Sequence, residues 1–263
     1  MSEGCHRALI GSQPNKSMQL SIANNMHQPP KQRRTPMFRH LVAVLLLTMI
    51  HAAQAARPMY TDDARIVEPG SCQLESWVRN NPNSTERWAL PGCNFTGNLE
   101  LTLGGSAVHE AAGPRNSAIV AQAKTLFKPL TSNSWSWGAA VGVVSDPATG
   151  AREVYGYLPM TLSLFDDGTF LHANLGAKRE AVTSHKQWTW GLGVEHQIST
   201  RLGLIGETFS QDPGRPFLQL GTRWWVIADR VRIDATVGNR LGASNGERWF
   251  SIGLRLLSPP WLR

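Results

Sequence analysis

The sequence predicts an all-β protein, a closed antiparallel up-and-down transmembrane β-barrel of about twelve strands. Three observations carry that prediction. Beyond residue 70 the apolar residues recur at period two, and no convincing amphipathic helix interrupts them. Several of the resulting strands run to about 10–12 residues; at ~3.3 Å per residue and a tilt near 40°, ten residues rise about 25 Å, the height of an outer-membrane apolar band. From the fifth strand onward, short and long connections alternate. A sheet that spans lipid must close on itself, because every backbone polar group there has to find an internal partner.

Taken in order, the chain opens on a leader. Residues 1–36 are polar and patternless, and read as a disordered extension or an over-long gene start. Residues 37–55 read as a signal peptide: a basic stretch, "RRTPMFRH", leads into the apolar core "LVAVLLLTMI" at 41–50, and Ala53 and Ala55 supply small residues for cleavage after Ala55. A membrane-anchoring helix would need about 18–20 apolar residues. Of the formal net charge of +7, most sits in this leader: residues 1–55 hold six basic residues and one acid, leaving 20 basic and 18 acidic residues beyond. No basic stripe with interleaved aromatics remains, so nucleic acid is not an expected partner.

Residues 56–70 are expected to form a periplasmic segment ahead of a barrel spanning 71–258. Cys72 and Cys93 outlast cleavage and are a disulfide candidate in an oxidising compartment. Closing a loop of roughly 20 residues is worth about 3 kcal/mol where geometry allows. No CxxC or nearby histidine pair accompanies them, so no metal and no cofactor are expected.

Strands are expected at 71–80, 85–91, 98–105, 117–127, 134–145, 153–164, 169–179, 186–197, 201–210, 217–227, 230–237 and 247–256, the second being weak. The alternation is clearest in Leu99–Leu103, Val154–Leu164 and Phe250–Leu256. Strands six and seven are joined by "FDDGT", eight and nine by "IST", ten and eleven by "AD"; the intervening connections, "SDPATGAR", "REAVTSH", "SQDPGRP" and "GNRLGASNG", are longer and polar. In a meander this trims one end and elaborates the other, as in outer-membrane barrels.

Two strands begin with tryptophan at alternate positions, Trp135 and Trp137 in one, Trp188 and Trp190 in the other. Indole settles at the headgroup level, and the two strands start from opposite ends, so the pairs are expected to mark two aromatic girdles. A tryptophan-rich soluble β-sandwich would alternate in the same way. With the apolar faces toward lipid, Glu75, Arg79, Glu100, Lys124, His172, Glu195, Glu207, Arg223, Arg232, Asp234 and Arg255 face the lumen. Two roles fit these mixed signs: an ion-pair network bracing a narrow interior, or a conduit whose charges select solutes.

A catalytic reading has one local candidate, "VEHQIST", with Glu195, His196 and Ser199. Neighbouring strand residues point to opposite faces, which argues against a converging triad. His109 reads as a solvated residue of a long loop. Asp62 and Asp63 lack further oxygen donors and read as a turn or tether in preference to a cation site. The sequons "NST" at 83–85 and "NFT" at 94–96 read as coincidence.

The stretch "RPMYTDDARIVEPGSCQLESW" at 57–77 places Thr61, Asp62 and Asp63 before Pro69, Gly70 and a first strand with Glu75 and Trp77. It resembles the start of the "MetA-pathway of phenol degradation" outer-membrane proteins. The resemblance implies an outer-membrane channel or transporter for small, hydrophobic or aromatic solutes. Its expected partners are outer-membrane lipid, those solutes and the barrel-insertion machinery. The alternatives are a structural or adhesive closed barrel or secreted sandwich, and an outer-membrane lipid hydrolase.

Overall fold

The computed structural model describes residues 59–111, 115–179, 185–243 and 247–261. The leader and its expected signal segment lie outside them. Twelve strands follow one another: β1 (Cys72–Asn81), β2 (Ser84–Asn94), β3 (Glu100–Glu110), β4 (Arg115–Lys128), β5 (Trp135–Ser145), β6 (Arg152–Leu164), β7 (Thr169–Arg179), β8 (Lys186–Gln197), β9 (Leu202–Ser210), β10 (Phe217–Ile227), β11 (Val231–Arg240) and β12 (Trp249–Leu257). Each pairs antiparallel with its neighbours in sequence, and β1 pairs with β12 to close the barrel. The seam runs from Gln73↔Leu257 to Asn80↔Phe250, and it is extended where Ser258 N donates to Cys72 O and Trp261 N to Gly70 O. Closure leaves no sheet edge and excludes the sandwich.

The pleat sorts residues as the alternation requires, with the sense inverted relative to a soluble protein. Outward positions around the barrel are apolar and open: Leu103 of β3 is 64% exposed, Val141 of β5 61%, Leu175 of β7 58%, Leu220 of β10 56% and Val237 of β11 57%. Inward positions are polar and sealed, Asp234, Ser136 and Thr161 being wholly buried. An apolar belt of this extent around a soluble protein would drive association.

β3 and β4 depart from expectation. They run five and two residues further toward their shared connection than the sequence suggested, pairing Ser106↔Ala118 through His109↔Arg115. Gly104-Gly105 reads as a strand end, yet a Cβ on Gly105 would strike the Ala118 carbonyl oxygen, so this glycine serves close pairing inside the strand. His109 is therefore a strand residue and not part of a long loop. Cys72 and Cys93 oppose each other across β1 and β2 with Cα atoms 4.0 Å apart, and they form a disulfide.

The largest correction concerns the segment expected to lie in the periplasm. Residues 59–70 run inside the barrel, with Met59, Thr61, Ala64 and Val67 buried against its wall. The strap turns into β1 at Gly70, whose φ of 76° suits glycine and whose N–H donates to Asn94 O.

Candidate functional site: a filled half-lumen and an aromatic cup

A strap of irregular backbone inside a barrel has no ladder to join, so its N–H and C=O groups must be met by side chains. The inward face of the barrel supplies them. The Glu207 carboxylate of β9 accepts from Tyr60 N and Thr61 N, both at 2.7 Å, and from Gln219 Nε2 at 3.0 Å. Thr161 Oγ1 of β6 accepts from Ala64 N at 2.8 Å, and Glu100 of β3 accepts from Val67 N at 2.9 Å. Ser136 Oγ donates to Ala64 O and Asn94 Nδ2 to Val67 O. The Asn174 carboxamide, oriented to satisfy itself, accepts from Asp62 N and donates to Asp62 O, a side-chain imitation of a β-bridge.

The charges of the strap knit into those of the wall. Lys124 Nζ lies 2.8 Å from Asp62 Oδ2 and donates to Asp63 O at 2.7 Å. Arg65 pairs with Asp63 at 2.7 Å and reaches Glu195 at 3.5 Å. Glu195 also meets His172 Nε2 at 3.2 Å and Arg223. Arg223 clasps Asp234 with two nitrogens, at 2.9 and 3.1 Å, and Arg232 shares the same carboxylate at 3.3 Å. Arg255 lies 3.6 Å from Glu75 and donates to Gln73 Oε1, while Gln73 Nε2 donates to Glu100. A void of about 50 Å³ remains in this zone. Ion pairs at such depth are tolerated where each charge meets an opposite one, as Asp63, Glu195 and Asp234 do.

All eleven inward candidates named from the sequence point into the barrel, and all but Arg79 belong to this strap-bearing assembly. Thr61, Asp62 and Asp63 are the part of the strap that binds β4, β6, β7 and β9; the two aspartates are tethered by Lys124, the Tyr157 hydroxyl and the Asn174 carboxamide. Among the described residues no group of three or more His, Cys, Asp or Glu side chains is arranged to hold a metal ion. Glu195, His196 and Ser199 do not converge: Glu195 faces the network, exposed His196 pairs with Thr169 Oγ1, and Ser199 Oγ accepts turn N–H groups.

The strap and the charges crowd toward the rim that carries the short connections at 165–168, 198–201 and 228–230. Toward the other rim the lumen opens into a cup of about 290 Å³ whose floor is Met59 and Tyr60. Its walls are aromatic. Trp77 of β1 and Trp88 of β2 stack with centroids 5.2 Å apart, over Leu90 and Val120. Tyr155 and Tyr157 of β6 stand opposite, the Tyr155 hydroxyl donating to Gln122 Oε1 at 2.9 Å and the Tyr157 hydroxyl to Asp62 Oδ2 of the strap at 2.6 Å. Tyr60 stacks on Phe209 at 4.6 Å, and Phe209 packs with Phe217 and Trp249. Gly142 leaves the space that the Tyr155 ring occupies.

Of the girdle candidates, Trp135 and Trp137 are 44% and 37% exposed near the short-connection rim, with Lys128 Nζ 3.9 Å from the Trp135 ring centroid. Trp188 is 75% exposed near the opposite rim. Trp190 is half-buried and also borders the cup. The strap's position and the uncharged inward partners Ser136, Thr161, Gln122 and Asn174 were not singled out from the sequence. The signal was available in β8, where the inward positions Gly191 and Gly193 lack side chains. A Cβ on Gly191 would collide with Thr61, and one on Gly193 would come within 2.5 Å of Met59. Glycine inside a strand often marks the approach of another backbone.

A family model described as "Uncharacterised conserved protein UCP029691" matches residues 43–257. No curated protein matches the chain. Among solved structures, the chain is similar to the KdgM porin in complex with disordered oligogalacturonate, at 12% identity and a TM-score of 0.53, covering 71% of this chain and 98% of that one. It is also similar to the NanC porin, at 8% identity and a TM-score of 0.52, covering 72% of this chain and all of that one. At these identities the likeness concerns the fold. The comparisons support the barrel implied by the Thr61–Asp63 resemblance, and not the family that the resemblance named.

Proposed function

The chain belongs to the UCP029691 family, and on its geometry we propose an outer-membrane channel for small solutes, aromatic ones included, with the strap as its closure. The signal-like leader takes it through the inner membrane, the barrel-insertion machinery seats it, and lipid covers the apolar belt. The short connections and both ends of the barrel chain then face the periplasm, and the cup faces out. The observation that carries this reading is the way the lumen is filled. A barrel with a solid interior needs only side chains meeting across it, as in small filled barrels. Here the obstruction is a separate stretch of chain: among the described residues Met59–Val67 is held by side-chain hydrogen bonds and ion pairs, and backbone bonds to the wall begin only at Gly70, where the strap turns into β1. Such a segment can leave without unpairing a strand.

A crosslink tests this. The Thr61 Cβ lies 3.2 Å from the place a Cβ would take on Gly191, near disulfide range. In planar bilayers, the Thr61→Cys, Gly191→Cys protein is expected to conduct little when oxidised and to recover when reduced. Folded parent protein without conductance or solute uptake would sink the channel reading and leave a closed structural barrel.

A further inference from the structure

We propose that the cup is a binding site for aromatic carboxylates, with the ring against the Trp77–Trp88 stack and the carboxylate on Arg79. This deepens the channel reading by naming a solute class.

Several polar groups of the cup wall are already engaged by neighbours. Glu86 accepts from Asn81 Nδ2 at 2.9 Å and from the Trp88 indole N–H at 3.0 Å. Glu153 is paired with Lys178 at 3.0 Å. Gln122 Oε1 takes the Tyr155 hydroxyl, and the Tyr157 hydroxyl donates to Asp62. Arg79 differs. It stands directly across from Glu86 in the β1–β2 register, yet it forms no ion pair within 4 Å among the described residues. Its guanidinium lies instead over the Trp249 ring, 5.0 Å from the centroid, and its buried Nε has no hydrogen-bond partner. The Glu207 carboxylate below attracts Arg79 only at longer range and is occupied by the strap N–H groups and Gln219.

Arg79 therefore keeps donor capacity, and it sits between two aromatic clusters, Trp77–Trp88 and Phe209–Phe217–Trp249. A guanidinium offers a planar fork that matches a carboxylate with two parallel hydrogen bonds. The flanking rings prefer a flat apolar body, and an offset aromatic stack adds to the area buried. A cup near 290 Å³ lies at the lower end of the range for small-molecule sites, about 300–1,000 Å³, which suits one ring with a short acidic substituent. A benzylammonium cation would meet Arg79 as a like charge. Acetate would reach Arg79 and leave the rings empty.

Titration calorimetry on the full folded protein in nanodiscs, with benzoate, benzyl alcohol, benzylamine and acetate as probes, tests the site. Benzoate is expected to bind at least tenfold more tightly than any of the other three. Arg79→Gln should weaken benzoate at least tenfold and leave benzyl alcohol unchanged, Arg79→Lys should recover part of the loss, and Trp88→Leu should weaken both ring compounds. Heat-modifiable migration on a gel reports folding of each variant, and the probe series on the parent protein decides the matter even where a variant fails to fold. Equal binding of benzoate and benzylamine, or an unchanged Arg79→Gln, overturns the proposal. Benzoate binding by a protein that never conducts leaves the site and removes the channel. Conductance with no preference for benzoate does the reverse.

Discussion

The two halves of the lumen solve the same problem in opposite ways. Near the short-connection rim, charged side chains are sealed from water, and each is met by another charge or by the strap backbone. Asp234 holds Arg223 and Arg232, Glu207 holds Tyr60 and Thr61, and the residual void is about 50 Å³. Toward the elaborated rim the wall becomes aromatic, Met59 and Tyr60 border the lumen from below, and the cup measures about 290 Å³. The contrast teaches where binding energy remains unspent. A network whose charges are paired with one another braces the barrel and has little left for a ligand, whereas stacked rings and a guanidinium without a carboxylate still have capacity to offer.

The comparison can be broken at several points. The largest effect is expected from Asp234→Ala, which strands Arg232 in a buried site and leaves Arg223 only Glu195; losing one partner of such a pair costs about 3–5 kcal/mol. Urea unfolding from lipid, read by heat-modifiable migration, should show it, and a loss well under 1 kcal/mol would mean that the lower half is wetter than its geometry. Next comes Glu207→Gln, which weakens the acceptor of two strap N–H groups by about 1–3 kcal/mol. The barrel should still fold, Arg65 should become a tryptic cleavage site, and conductance should rise. A strap that stays protected in this variant would place its hold elsewhere. Trp88→Leu removes a stacked pair worth about 0.5–1.5 kcal/mol and should lower stability by no more than that, because the cup is built to be open.

The smallest effect belongs to a loop at the outer rim. Hydrogen bonding to the Arg240 guanidinium, at 2.6 and 2.8 Å, holds the Asp212 carboxyl below the usual carboxylate range. A depressed folded pKa gives stabilisation that is complete above the unfolded value, about 3.9, and is lost as the pH falls through the folded one. The 211–216 connection should therefore exchange amide hydrogens faster in acid, and Asp212→Asn should flatten that dependence. Solvent screens the pair, so the global unfolding midpoint should hardly move.

The pleat made much of this legible beforehand. A period of two leaves one choice, which face meets lipid, and the exposed residues Trp188, Leu192 and Val194 decide it for β8. Glu195 and Gly193 then face inward without further information. The extended ends of β3 and β4 were hidden because Gly104-Gly105 carries the same letters as a turn; the pairing that overrides them lies on β4, some fifteen residues along. The strap was hidden for a deeper reason. Met59–Gly70 has no period, and its Asp-Asp pair looks like a solvated turn wherever its surroundings are unknown.

Sequence alone determined that this chain is a twelve-stranded closed barrel with a wet interior and a greasy exterior, because alternation, strand length and turn chemistry are local properties fixed by backbone geometry. Tertiary structure decided what fills the interior. Which carboxylate meets which N–H depends on side chains brought together from residues more than a hundred apart, as Thr61 and Glu207 are, and no local pattern encodes that distance.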